Sequence, residues 1–218
     1  MKGISSFLNT LFVFAVFVFA GCAKDEKQND NPQFVTDVDG NTYETIKIGN
    51  QIWMAKNLAV TKFRNGDEIP NREAGTEWVS TTSALCFYDN KIANKDTYGC
   101  LYNWGAVDDP RGLAPEGWHI PSVHEFNELE NTLGGDAVAA SKLGTWGSGT
   151  NESGFSALPA GYRQFGAFIR LGDEAWWWTS SQNVGEDPAG YFLINSSSRF
   201  DAFNAPQSFG LSVRCIKD

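Results

Sequence analysis

The chain has 218 residues, enough for one ordinary domain with a sizeable core. Its 26 acidic residues against 17 basic ones give a formal net charge of −9, which argues against nucleic acid as a partner and against adhesion to anionic lipid through the protein surface. Aromatic residues make up 14 %, with eight Trp, a content that suits hydrophobic cores and sugar-binding surfaces alike.

Residues 1–21 read as a signal peptide: Lys2 gives a short positive start, and Leu11 to Ala20 is apolar but too short to span a bilayer. Phe19-Ala20-Gly21-Cys22 resembles the lipobox of bacterial lipoproteins, with Phe19 where Leu is usual. That resemblance implies lipid modification of Cys22, an outer-membrane location and a membrane contact through the lipid alone; an ordinary secreted protein cut nearby is the alternative. Loss of the signal removes Lys2 and no other charge, so the mature chain is one unit more negative. Residues 22–33 are polar and charged and read as a disordered tether. Within it, Lys24-Asp25-Glu26 resembles the surface-export signal of Bacteroidetes lipoproteins, which implies exposure at the cell surface.

From Phe34 the pattern is that of strands. Three short runs, 34–38, 41–48 and 51–55, are separated by turns at Asp39-Gly40 and Gly49-Asn50, and they predict a three-stranded meander. Asp37, Asp39 and Asn41 make half of a calcium loop, but the glycine is misplaced and Ile48 stands where Glu is needed, so a turn is expected. Residues 61–85 are loop-rich. Leu101 to Trp104 offers an aromatic strand or helix start.

Ala114 to Gly135 contains the long amphipathic helix of the chain. Ser122 and Glu125 have capping-box spacing, and Phe126, Leu129 and Leu133 form an apolar stripe that Gly134-Gly135 terminate. Asp136 is the expected cap of a shorter, Ala-rich helix closed by Gly144. The Gly/Ser/Thr/Asn stretch that follows is loop, and its glycines lack the strand–turn–helix context of a nucleotide site.

The last third returns to strands within 155–163, 165–172, 175–181, 190–195 and 211–218, predicting an antiparallel sheet. One main helix, one shorter helix and many short strands together indicate an α+β domain over residues 34–218.

Three cysteines follow Cys22. An oxidising compartment favours one bridge, for which Cys86 with Cys100 is preferred because it would staple a polar loop, and Cys86 with Cys215 is the alternative. The irregular spacings, with His119 and His124 on either side of a proline, argue against zinc. His119, His124 and Glu125 have the chemistry for acid–base work, but Glu125 is better used in the capping box, His119 lies in a turn where its ring can satisfy backbone groups, and no nucleophile or second carboxylate adjoins them in sequence. No cofactor is expected.

The candidate ligand-binding residues are Trp176, Trp177, Trp178, Thr179 and Ser180. On a strand Trp176 and Trp178 share one face and Trp177 takes the other, so one face is core and the remaining one can stack a sugar beside the Thr-Ser-Ser-Gln polar groups. Packing of both faces into the core is the competing reading. The binding surface would then fall to the loops at 144–154 and 196–209.

Seven motifs occur in order: DVDGNTYETIKIGNQIWMAKNL, CFYDN, TYGCLYNWGAV, LAPEGWHIPSVHEFNELENTLGG, GFSALPAGYR, WWTSS and the closing SVRCIKD. Together they resemble the Fibrobacter succinogenes major paralogous domain family over about residues 37–218. The resemblance implies a C-type-lectin-like domain on a secreted or cell-surface protein, with no molecular function attached. That fold is similar to the one in formylglycine-generating, sulfatase-modifying enzymes, whose ending resembles Gly210 to Cys215. Those enzymes need a cysteine pair just upstream, which residues 183–214 lack. The reading is therefore a non-catalytic cell-surface binding module for a glycan or protein; the alternative is an enzyme on the same scaffold.

Overall fold

The computed structural model describes residues 33–74, 78, 82–182 and 187–218. The expected signal peptide, Cys22 and nearly all of the tether lie outside the described residues. Among the described residues no helix is long and apolar enough to cross a membrane.

Strands β1 (Gln33–Thr36), β2 (Thr42–Ile48) and β3 (Gln51–Met54) form the expected antiparallel meander. A small ribbon follows, β4 (Leu85–Cys86) against β5 (Leu101–Tyr102), with helix α1 (Lys95–Tyr98) in the connection. Helix α2 (Trp104–Val107) begins at once, because the Asn103 side chain accepts from Ala106 N and caps it. After β6 (Trp118–His119) come α3 (Val123–Leu133) and α4 (Asp136–Leu143), and then β7 (Ala160–Gln164), β8 (Ala167–Leu171), β9 (Glu174–Trp178), β10 (Ala189–Ile194), β11 (Arg199–Asn204) and β12 (Ile216–Lys217).

The strands make two five-stranded sheets, ordered β1-β2-β3-β12-β6 and β11-β10-β9-β7-β8. The architecture is α+β, as the sequence indicates. The closing strand does not join the second sheet. Instead, β12 inserts between β3 and β6, with Ile216 opposite both Trp53 and His119, and so ties the chain's end to its first meander.

Nor is the second sheet wholly antiparallel: β7 runs parallel to β9, with Gly161 opposite Ala175. Two reversals in succession, β7 to β8 and β8 to β9, restore the direction of β7, and β9 pairs with β7 rather than with β8. Gly161 permits this approach, since a Cβ there would lie 2.4 Å from the Ile169 carbonyl oxygen. The segment 196–209, taken as loop, contains β11, fully paired with β10 from Ile194↔Arg199 to Ala189↔Asn204. Its run of three Ser and scattered charges hides the alternation that buries Phe200.

Helix α3 has both halves of the capping box: Ser122 Oγ accepts from Glu125 N, and the Glu125 carboxylate accepts from Ser122 N at 2.7 Å. Phe126, Leu129 and Leu133 enter a core cluster with Trp53, Trp177, Tyr191 and Phe200. A second, larger cluster holds Tyr43, Met54, Tyr102, Trp104, Trp178 and Leu211 and includes no residue of α3, so the helix organises half of the core rather than all of it. Asp136 is not the cap of α4. Gly135 holds that position, and the Asp136 carboxylate accepts from Phe200 N, locking α4 to β11.

The cysteines correct a further expectation: Cys86, Cys100 and Cys215 are all free and buried. On the β4–β5 ribbon Cys86 stands opposite Leu101. Side chains alternate along a strand, so Cys86 points with Leu101 into a small cluster containing Trp78 and Tyr88, whereas Cys100 points the other way, with Leu85 and Tyr102, into the largest one. Cys215 belongs to that largest cluster too, which separates it from Cys86 as well.

Candidate binding face on the second sheet

Strand β9 carries the tryptophan run, and its two faces have different fates. Trp177 points into the α3 cluster, fully buried, and its indole N–H donates to Asn57 Oδ1 at 2.9 Å. Trp176 and Trp178 share the opposite face, as the alternation requires. Trp178 is nevertheless also fully buried, because the β5–α2 segment covers that end of the sheet: its ring meets Trp104 at 5.5 Å and its N–H donates to the Tyr102 carbonyl at 2.7 Å. Thr179 is buried with its hydroxyl on the Ala189 carbonyl. Ser180 is exposed, and its backbone N–H is held by the Pro121 carbonyl. Of the five candidate residues, Trp177, Trp178 and Thr179 are therefore core, and Trp176 and Ser180 remain accessible.

Trp176 is half-buried in an aromatic neighbourhood drawn from four strands and the segment beyond. Tyr162 of β7, Phe192 of β10 and Phe203 of β11 have ring centroids 4.6, 5.1 and 4.5 Å from it, and Phe209 stacks on Tyr162. The cross-strand register accounts for this. Trp176 stands opposite Phe192, while Gly190, opposite both Trp178 and Phe203, leaves the space the Phe203 ring occupies, since a Cβ there would lie 2.6 Å from its Cζ.

The Trp176 N–H donates to Glu174 Oε2 at 2.8 Å, and Arg170 approaches the other oxygen at 3.5 Å, so the indole is held in one orientation. Arg199 stacks over Phe192 and bonds Asp201 on the outer edge. At the hairpin tip Phe165 and Gly166 both have positive φ, 48° and 83°, and Phe165 is 81 % exposed. This is an aromatic ring in a turn position that favours Asn or Gly.

On the other, α3-facing side of the sheet lies a cleft of about 540 Å³, lined by Val123, Ser181, Gln182, Asp187, Ala189 and Asn204 among others. It opens where β10 and β11 end against the start of α3. Ser181 Oγ accepts from Val123 N at 3.0 Å and fixes one wall, and Ala202 and Asn204 stand on the side of β11 opposite to the Phe203 ring.

The histidine constellation is assembled differently from its expected form. His119 bonds side chains rather than backbone groups: Nε2 lies 2.7 Å from Glu125 Oε1, and Nδ1 lies 2.7 Å from Oδ1 of Asp218, the second carboxylate that the sequence places far away. Burial acts to lower the His119 pKa, but the two carboxylates outweigh it and raise the pKa above the ordinary value. Burial likewise acts to raise that of Glu125, outweighed by the Ser122 N–H and His119, which lower it. Both ring nitrogens are engaged, so the arrangement fastens β6, α3 and the chain end together. The Asp37 carboxylate is similarly spent on Asp39 N, Asn41 and the Tyr43 hydroxyl, and Asp39 on Thr61. Among the described residues no group of three or more His, Cys, Asp or Glu is placed to hold a metal.

A buried polar hub escapes sequence reading altogether. Arg214, fully buried, has no carboxylate partner among the described residues; its guanidinium donates to the Phe155 carbonyl and to Asn57 Oδ1, and lies 4.2 Å over the Phe155 ring. Burial lowers its pKa to about 9.

The seven-motif order and the fold just described accord with one further finding: the Fibrobacter succinogenes major domain matches the chain over residues 46–217. The chain belongs to this family. Its matched span runs from β2 to β12 and so takes in the aromatic face, the cleft and the histidine fastening of this major domain. No curated protein and no solved structure matches the chain.

Proposed function

We propose that this chain is a non-catalytic binding module of C-type-lectin-like fold, held at the outer membrane by a lipid on Cys22 and facing the cell exterior, and that it takes a glycan on the aromatic face around Trp176. The observation that carries this reading is the Glu174–Trp176 hydrogen bond in a group of rings of which Trp176, Tyr162 and Phe203 are half-buried and Phe192 and Phe209 buried. A ring fixed before the ligand arrives loses little freedom on binding, and an indole face suits the C–H face of a pyranose. The state of the thiols speaks against the enzyme alternative. Burial pushes Cys86 up to about 11 and Cys100 up to about 12, and raises Cys215 as well, so none is poised as a thiolate nucleophile.

The test is a glycan array probed with full-length wild type and Trp176→Ala, with and without calcium. Wild-type binding that Trp176→Ala abolishes while the variant stays folded is the expected result. An array negative for wild type under both conditions overturns it. Cys22→Ser should release the protein from the membrane fraction; unchanged fractionation would remove the lipid anchor from the proposal.

A further inference from the structure

We propose that the binding face continues from Trp176 to the β7–β8 hairpin tip, that Phe165 there is a second stacking residue, and that the ligand is an uncharged, linear polysaccharide segment lying over both. This rests on the glycan reading above and adds a ligand-contacting residue and the class of glycan.

Five rings follow one another from strand to strand. Phe203 meets Trp176 with centroids 4.5 Å apart, Trp176 meets Tyr162 at 4.6 Å, Tyr162 stacks on Phe209 at 6.1 Å, and Phe209 meets Phe165 edge to face at 5.8 Å. The register puts Trp176 and Phe203 on one side of the sheet, and Tyr162 on neighbouring β7 brings its ring to the same side. Phe209 is buried and backs the row, whereas Phe203, Trp176 and Tyr162 are half-buried and Phe165 is 81 % exposed. One sugar ring covers one indole. A row that runs on past Tyr162 to the hairpin tip offers stacking contacts to successive units of a chain.

Phe165 is unfavourable where it stands. Its φ of 48° is a conformation that a bulky side chain avoids, and its ring is left in water. Among the described residues its ring contact is with Phe209 at the edge of the row. A ligand lying over the tip gives an exposed ring in that position a use that the fold does not.

The charged groups beside the row are paired. Arg170 approaches Glu174, which also holds the Trp176 indole, and Arg199, stacked over Phe192, bonds Asp201. The face thus presents ring surfaces flanked by self-neutralised, hydrogen-bonding pairs, which suits the C–H faces and hydroxyls of an uncharged sugar chain. The chain's net charge of −9 disfavours polymers of uronic acids.

The experiment titrates the full-length protein in detergent with cello-, xylo-, manno- and malto-oligosaccharides of two and six units and with oligogalacturonate, for wild type, Trp176→Ala and Phe165→Asn. Asn suits a positive φ, so Phe165→Asn should keep the fold with no fall in melting temperature. At least one neutral hexaose should bind wild type; Phe165→Asn should weaken it about tenfold while leaving the matching disaccharide unchanged, and Trp176→Ala should abolish binding of both. Hexaose affinity that Phe165→Asn leaves untouched would overturn the second contact and leave the Trp176 site standing. Equal weakening of disaccharide and hexaose by Phe165→Asn would overturn the extended row. Oligogalacturonate bound as tightly as the neutral hexaoses would overturn the uncharged class. Wild type that binds none of these sugars but self-associates in sedimentation velocity, with Phe165→Asn monomeric, would put a second copy of the chain on this face and overturn the proposal. Binding to none of them overturns it in any case, whereas the glycan reading itself falls only with a negative array.

Discussion

Asn57 and Arg214, 157 residues apart in the chain, meet through a 2.9 Å bond from the guanidinium to Asn57 Oδ1, the same oxygen that accepts from the Trp177 indole. The Asn57 amide nitrogen meanwhile donates to the Tyr98 carbonyl and Ser212 Oγ. One buried side chain thus links the β3–β4 connection, β9 and the segment before β12.

Replacing Asn57 by Ala leaves a buried cation and an indole N–H without their acceptor, and each lost partner costs about 1–3 kcal/mol. Asn57→Ala should therefore destabilise by about 2–6 kcal/mol in urea unfolding. Asn57→Asp supplies a charge to Arg214 and should recover part of that loss. A destabilisation below about 1 kcal/mol for Asn57→Ala would show that water replaces the missing acceptor.

Stability should depend on pH through His119. Its folded pKa is raised above the unfolded value near 6.5, so its contribution is fully present below that value and is lost as pH rises through the raised folded pKa. Glu125 acts in the opposite sense: its folded pKa is lowered, so its contribution is present above the ordinary 4.5 and is lost as pH falls through the lowered value. Urea midpoints measured from pH 4 to 9 should fall on the alkaline side. His119→Gln should remove that alkaline loss; an unchanged profile in the variant would assign it to another group.

The three buried cysteines should be unreactive toward a thiol reagent in the folded protein and titrate as three free thiols after unfolding without reductant. Non-reducing peptide mapping is the direct check. A Cys86–Cys100 peptide would mean that the β4–β5 ribbon can shift by one residue, because only that slip brings the two side chains to one face.

Local chemistry decided much of this fold before any tertiary contact. The meander follows from its Asp-Gly and Gly-Asn turns, α3 from the Ser122–Glu125 capping box and its apolar stripe, and the separation of Trp177 from Trp176 and Trp178 from the two-residue period of a strand. All are relationships between residues a few positions apart, where spacing alone fixes geometry. Long-range placement was not legible in the same way. That Trp178 is covered and Trp176 left open depends on Trp104 and Tyr102, more than seventy positions earlier, and no periodicity records which end of a sheet face another segment will cover. The same holds for the second carboxylate on His119, the acceptor for Arg214, the parallel pairing of β7 with β9 and the cleft at the start of α3. Sequence placed Trp176 and Trp178 on one face of a strand; only the packing of distant segments determined which of them stays open to solvent.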